Sequence, residues 1–243
     1  MKIRNLAANI AGALILAASA NAGTVAPPAV FDTQEPFSLG AEISLGYDTK
    51  YVFRGVDFGD NLVWGDVNIG VPITDTINFS LGAWYASVAD ADYDELDVYT
   101  GISADLGMFE VGVGVTYYNF PRGGGDIWEP GVSIGTSAGP VDLSFGYYYD
   151  TEESGSYFEL AAESTIELTD TIALVPGASV SYADSYYGVS GFNNIGLSLG
   201  LPIALTDTAT LTPYIAGSIA IDALSDLGED DHLYGGVALS VSF

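Results

Sequence analysis

The sequence has no cysteine, five basic residues and, beyond its first twenty or so positions, no long apolar run. Without cysteine there is no disulfide and no thiolate metal site. Thirty-two acidic residues against five basic ones give a formal net charge of −27 and a pI near 4.1. Such a balance opposes phosphate, so nucleic acid is excluded as a partner. It equally opposes electrostatic docking on anionic lipid. Missing apolar runs remove membrane helices but leave barrels, whose apolar residues alternate with polar ones. No HExxH motif occurs, and the single histidine, His232, has no motif around it. The chain is therefore expected to be neither an enzyme nor the holder of a metal or cofactor.

What the sequence does have argues against disorder. It is 49% hydrophobic and 12% aromatic with a mean hydropathy of +0.30, enough apolar surface to fold. At 243 residues it fits a single domain.

Residues 1–22 read as a secretory signal peptide. Lys2 and Arg4 precede an apolar run from Leu6 to about Ala18, and Ala20 and Ala22 form a small-x-small cleavage site. The run is shorter than the roughly 20 residues that span a bilayer. After cleavage, three basic and thirty-two acidic residues remain, a net of −29. Residues 23–36 have prolines and no periodicity, as expected of a flexible lead-in. The rest, 37–243, has a period of two.

In the first such segment Leu39, Ala41, Ile43, Leu45, Tyr47, Tyr51 and Phe53 fall on one face. Glu42, Ser44, Asp48, Lys50 and Arg54 fall on the other. Only a strand sorts residues so. The pattern predicts twelve strands, at 38–55, 62–73, 77–88, 96–106, 109–120, 127–136, 141–150, 157–168, 172–183, 192–203, 209–221 and 232–243. Each is about the 9–11 residues that cross a bilayer when tilted. Export, a glycine- and serine-rich polar face, and a last strand ending "GGVALSVSF" favour a membrane barrel over a soluble sandwich. The expected fold is all-β, a transmembrane antiparallel up-and-down barrel in the bacterial outer membrane. The terminal Phe243 resembles the signal read by the outer-membrane barrel assembly machinery, an expected partner along with outer-membrane lipid and lipopolysaccharide.

The connections alternate between short turns, three of them reading "TDT", and longer acidic loops. Short periplasmic turns and longer outer loops are the rule in such barrels. Asp75, Asp170 and Asp207 of the "TDT" turns are expected to bond nearby backbone N–H groups. Asp90, Asp92, Asp94 and Glu95, and again Glu229, Asp230 and Asp231, read as solvated loop acids without the spacing of a calcium loop.

Parity assigns Glu42, Asp48, Asp66, Asp97, Asp105, Glu110, Glu129, Asp142, Glu159, Glu163 and Glu167 to the lumen, with Lys50 and Arg54 as cations there. Trp64, Trp84, Tyr99, Tyr118, Tyr148, Tyr157, Tyr214 and Tyr234 also face inward by this count. Outward aromatics include Tyr51, Phe53, Tyr117, Trp128, Tyr147, Phe158 and Tyr182, placed for an interfacial girdle. Eleven carboxylates cannot be buried dry, so the lumen should hold water, carry negative potential and favour cations.

The stretch Tyr51-Val52-Phe53-Arg54-Gly55, "YVFRG", is similar to the early segment of a family of outer-membrane porins of Gram-negative bacteria, whose members read much like "SNYVFRGISQ" there. The following "VDFGDNLVWGDVNIG" departs from that pattern. The resemblance implies a porin-like role. The expected function is passive diffusion of ions and small solutes, cations preferred. The alternative is a non-conducting structural or adhesive barrel whose acidic loops bind ions or a partner.

Overall fold

The computed structural model describes residues 40–243, so the expected signal peptide and lead-in lie outside the described residues. The chain is a closed antiparallel barrel of twelve strands. In chain order they are β1 (Ala41–Phe53), β2 (Val56–Thr74), β3 (Ile77–Val88), β4 (Tyr93–Asp105), β5 (Glu110–Asn119), β6 (Asp126–Ala138), β7 (Val141–Asp150), β8 (Gly155–Ser164), β9 (Ala173–Tyr186), β10 (Val189–Gly200), β11 (Ala209–Ala220) and β12 (His232–Ser242). Two-residue continuations, Ile166–Glu167 and Ile203–Ala204, extend β8 and β10. One short helix, α1 (Asp222–Leu227), precedes β12 among the described residues.

Each strand pairs with its sequence neighbours, and β12 returns to β1 from Glu42↔Ser242 to Asp48↔Gly236. The Phe243 N–H donates to the Ala41 carbonyl at 2.9 Å, fastening the last residue into this seam. Closure leaves no edge strand to satisfy in lipid.

Alternation decides which face meets what. Leu45 is 60% exposed and Val113 56%, whereas Asp48 and Leu62 are fully buried. The exposed set forms an apolar outer belt suited only to hydrocarbon. Near one end, rings meet across adjacent strands: Tyr117 tilted against Trp128 at 4.8 Å, Tyr147 against Phe158 at 5.0 Å, and Tyr182 edge to face with Phe192 at 5.6 Å. This is the amphipathic girdle expected at a membrane–water boundary.

The two barrel ends differ. One carries both the C-terminus and the short turns. In each "TDT" turn the first threonine, not the aspartate, holds the backbone. Thr74 Oγ1 accepts the Ile77 N–H at 3.0 Å, Thr169 Oγ1 that of Ile172 at 3.0 Å and Thr206 Oγ1 that of Ala209 at 2.9 Å. The hydroxyl reaches the N–H groups two and three residues on, which corrects the role expected of Asp75, Asp170 and Asp207.

The other end carries the longer connections, except at β9–β10, which turn over Tyr187–Gly188, and at β1–β2. Val56–Asn61, expected to be a loop, belongs to β2, and the reversal is the two-residue turn Arg54–Gly55. Both have positive φ, 51° and 88°, as a type I′ hairpin turn requires. At 19 residues, β2 measures about 60 Å, far more than a bilayer needs. The β1–β2 hairpin therefore overshoots the wall, and its tip folds into the barrel mouth.

Candidate functional site

The lumen is divided at the level of this tip. On the β1–β5 side, inward side chains are large and bonded to one another. Asp48, fully buried, accepts Trp64 Nε1–H at 2.9 Å and the Tyr214 hydroxyl at 2.7 Å. Asp66 accepts Asn68 Nδ2–H at 2.9 Å and the Tyr99 hydroxyl at 2.8 Å. Trp84, Leu62 and Tyr51 pack with Trp64 into one buried cluster. Donors aimed at each carboxylate offset the cost of removing it from bulk water.

Tyr51 belongs to this cluster and not to the outer girdle: it is 1% exposed, and its hydroxyl donates to Glu95 at 2.6 Å. Phe53 also turns inward, its ring 6.1 Å from that of Tyr118. The expected outward placement of both fails because alternation holds only while a strand has one wet and one greasy side. Beyond Lys50 the hairpin lies inside the mouth, and both faces are covered. A register shift between Tyr51 and Val52 marks the bend. Glu95, expected among loop acids, is likewise 2% exposed, because β4 begins at Tyr93 and carries Glu95 and Asp97 on its inward side.

Arg54 stands at the tip, with its side chain 5% exposed. Its guanidinium is bidentate to Glu129 of β6, Nη1 to Oε2 at 2.5 Å and Nη2 to Oε1 at 2.8 Å. Glu129 also accepts the Tyr186 hydroxyl at 2.9 Å and the Tyr118 hydroxyl at 3.2 Å. Arg54 Nη1 donates to the Tyr186 oxygen as well. The guanidinium lies 4.3 Å from the centre of the Tyr157 ring and 4.8 Å from those of Tyr148, Tyr186 and Phe53. Asn193 Nδ2–H donates to the Arg54 carbonyl at 2.7 Å. A planar cation with a fork of donors suits this box of one carboxylate and four rings. Gly55 completes the latch. A Cβ there would stand 2.2 Å from Leu224 of α1, so only glycine lets helix and tip meet.

Past the tip, the β8–β11 side is lined by small groups. A cavity of about 210 Å³ lies between the tip and this wall, bordered by Arg54, Tyr157, Glu159, Ser179, Ser198 and Ala216 among others. Glu159 has hydroxyls for neighbours, Tyr157 at 3.4 Å and Ser179.

The remaining expected lumen acids are spread along the wall. Glu42 is buried beside Ser44 and Ser242. Asp97 is buried beside Trp84 across the β3–β4 ladder. Glu163 and Asp142 face each other in register on β8 and β7, and Glu110 opposes Asp105. Asp105 and Glu167 are exposed near the short-turn end. Lys50 does not enter the lumen with Arg54. It is 30% exposed at the mouth, bonded to Asp57 at 2.6 Å and Asp60 at 2.8 Å. His232 lies beside the same hairpin, 3.3 Å from Glu229.

Arg122, in the β5–β6 loop, pairs with Asp92 of the β3–β4 loop and with Asp94 at the start of β4, both at 2.5 Å. Hydrogen bonds to Asp92 and then Asp94 hold its guanidinium pKa above the ordinary value. Part of the acidic loop cluster is therefore neutralised by the chain itself. No group of three or more His, Asp or Glu able to hold a metal ion occurs among the described residues.

A family model described as "Bacterial protein of unknown function (Gcw_chp)" matches residues 31–129. Among curated proteins, none matches this chain in sequence. Solved structures are similar in fold. The KdgM porin aligns with a TM-score of 0.54 at 10% identity, over 83% of this chain and 99% of its own. The NanC porin gives 0.53 at 11%, over 84% and 98%. The COG4313 outer membrane channel from Pseudomonas putida F1 gives 0.57 at 10%, over 84% and 95%. At such identities the likeness establishes the barrel, and what the barrel does has to be argued from its own lumen.

Proposed function

We propose that this protein is a channel of the bacterial outer membrane for passive diffusion of ions and small solutes, with cations preferred. The observation that carries this reading is the void of about 210 Å³ beside a polar, carboxylate-bearing wall, inside a barrel whose outer face is apolar. A structural barrel of this diameter has no need of a lumen left unfilled. The fold shared with outer-membrane porins supports the location, and the expected signal peptide agrees with it.

Charge supports the preference. Inward acids outnumber inward cations, and Arg54 is already committed to Glu129. A low-dielectric wall focuses that field into the lumen. One KdgM structure is a complex with disordered oligogalacturonate. Such an anionic chain would meet carboxylates in this lumen and, among the described residues, no uncommitted lumen cation, so it is not the solute this wall suits. Assembly through the C-terminal strand, with Phe243 as its last residue, and contact with lipopolysaccharide complete the proposal.

Purified protein in a planar bilayer should give stepwise currents, with a reversal potential in a KCl gradient on the cation side. Silent bilayers would leave the non-conducting barrel, a reading that the tip folded into the mouth would then favour. Anion preference would overturn the charge argument.

A further inference from the structure

We infer that permeating ions pass the hairpin tip on one side only, through the cavity between the tip and the β8–β11 wall, and that Glu159 is the residue that selects cations there. The inference rests on the channel reading above. It names the route and the selecting group, which that reading leaves open.

Three observations converge. First, the tip reaches the far wall. Arg54 is held at Glu129 of β6 and Tyr186 of β9, and Gly55 lies against Leu224 of α1 and Ser218 of β11. Second, the β1–β5 flank of the tip is dense: Tyr51, Leu62 and Trp84 are at most 1% exposed and packed together. Third, the opposite flank holds the void of about 210 Å³. Its wall is made of small groups that sit over one another. A Cβ on Gly196 would stand 2.5 Å from Ser179 Oγ, and one on Gly177 the same 2.5 Å from Ser198 Oγ. A hydrated ion at the tip level therefore finds solid side chains on one flank and hydroxyl-lined space on the other.

Glu159 and Glu129 differ in what they are bonded to. Glu129 is saturated by Arg54, Tyr118 and Tyr186. Glu159 borders the void, and among the described residues no Lys, Arg or His nitrogen lies within 4.0 Å of it. Its bonded neighbours are hydroxyls, and Arg54 acts on it only through space, so no cation is bonded to this carboxyl beside the path. Farther along β8, on the same inward side, Glu163 continues toward the short-turn end. A fixed charge within a few ångströms of a narrow path, in a medium of reduced dielectric, is felt far more than one elsewhere in the lumen.

The test is single-channel recording on the full barrel, with folding of each variant verified by its heat-modifiable gel migration. Glu159→Gln should lower the K⁺/Cl⁻ permeability ratio about three- to tenfold. Glu42→Gln, on the β1 wall at the short-turn end, should change the ratio by less than about twofold. Ala216→Phe should fill the void and cut K⁺ conductance by about half or more. Should that variant not fold, Ser198→Leu borders the same space and serves as the second obstruction. Equal shifts in the two Gln variants would overturn the role of Glu159, and undiminished conductance with the void filled would overturn the route. A wild-type barrel that carries no current sinks the channel reading itself, a different failure from either of these.

Discussion

The two halves of the lumen share strand geometry and alternation, yet one is a core and the other a wall. On β1–β4 the inward positions carry Asp48, Trp64, Trp84 and Asp97, all at most 4% exposed. On β9–β11 they carry Gly177, Ser179, Gly196, Ser198 and Ala216, which leave the void open. An inward tryptophan or tyrosine fills about 150–250 Å² of surface, and its polar atom asks for a partner. Glycine and serine ask for neither. Side-chain volume at inward positions, and not the backbone, therefore decides where a barrel of this size is solid. The hairpin tip is the divider, and the long β2 strand allows it to reach across.

The sharpest way to break this comparison is to remove the divider. Arg54→Ala leaves Glu129 buried without its cation, which should cost about 3–5 kcal/mol of unfolding free energy. Denaturant titration in lipid vesicles measures it. The same variant should show raised single-channel conductance as the tip loosens. In a double-mutant cycle, Arg54→Ala with Glu129→Ala should recover part of the loss, because no unpaired charge is then left inside. Purely additive losses would mean that the pair is not a latch.

Next in size, Trp84→Ala should cost about 3–5 kcal/mol, the range for truncating a large packed side chain. Ser198→Ala on the open wall should stay within about 0.5 kcal/mol. Comparable losses at the two sites would erase the distinction between core and wall. Intermediate in effect, Thr74→Val removes the acceptor that closes a "TDT" turn and should cost about 1 kcal/mol, while Asp75→Ala beside it should cost less. The smallest effect belongs to the second arginine. Arg122 pairs with two aspartates, as Arg54 pairs with one glutamate, but its side chain is 49% exposed against 5%. Water already solvates it, so Arg122→Ala should leave the unfolding midpoint unchanged within error.

Much of the architecture was legible in the alternation. Ile77–Val88 and Val141–Asp150 begin and end where the pattern changes, because one-faced burial fixes strand parity. Parity equally placed Trp64, Trp84 and Tyr148 on the side where they are buried. It failed where burial is two-faced. Tyr51-Val52-Phe53, three apolar residues in a row, carried the signal of a strand covered on both sides, followed by Arg-Gly as a turn. Glu95 and Tyr186 were missed for a related reason. Their strands run farther toward the loop end than the loop-like composition of "DADYDE" and "DSYY" suggests, since inward tyrosines and carboxylates can bond to one another there. Helix α1 had no periodicity to announce it in six residues.

The sequence alone determined the barrel, through a period of two repeated twelve times. Its thirty-two acids and five bases also set the expectation of a negative lumen. These are local or additive properties, readable without knowing which residues meet. Only the tertiary structure decided that Arg54 finds Glu129, 75 residues away, and that Lys50 does not follow it inside. It also decided that one half of the lumen closes while the other stays open. Those outcomes depend on which way a long hairpin bends at the barrel mouth. That direction is set by contacts with β3, β6, β9 and α1, which come together only once the barrel has closed.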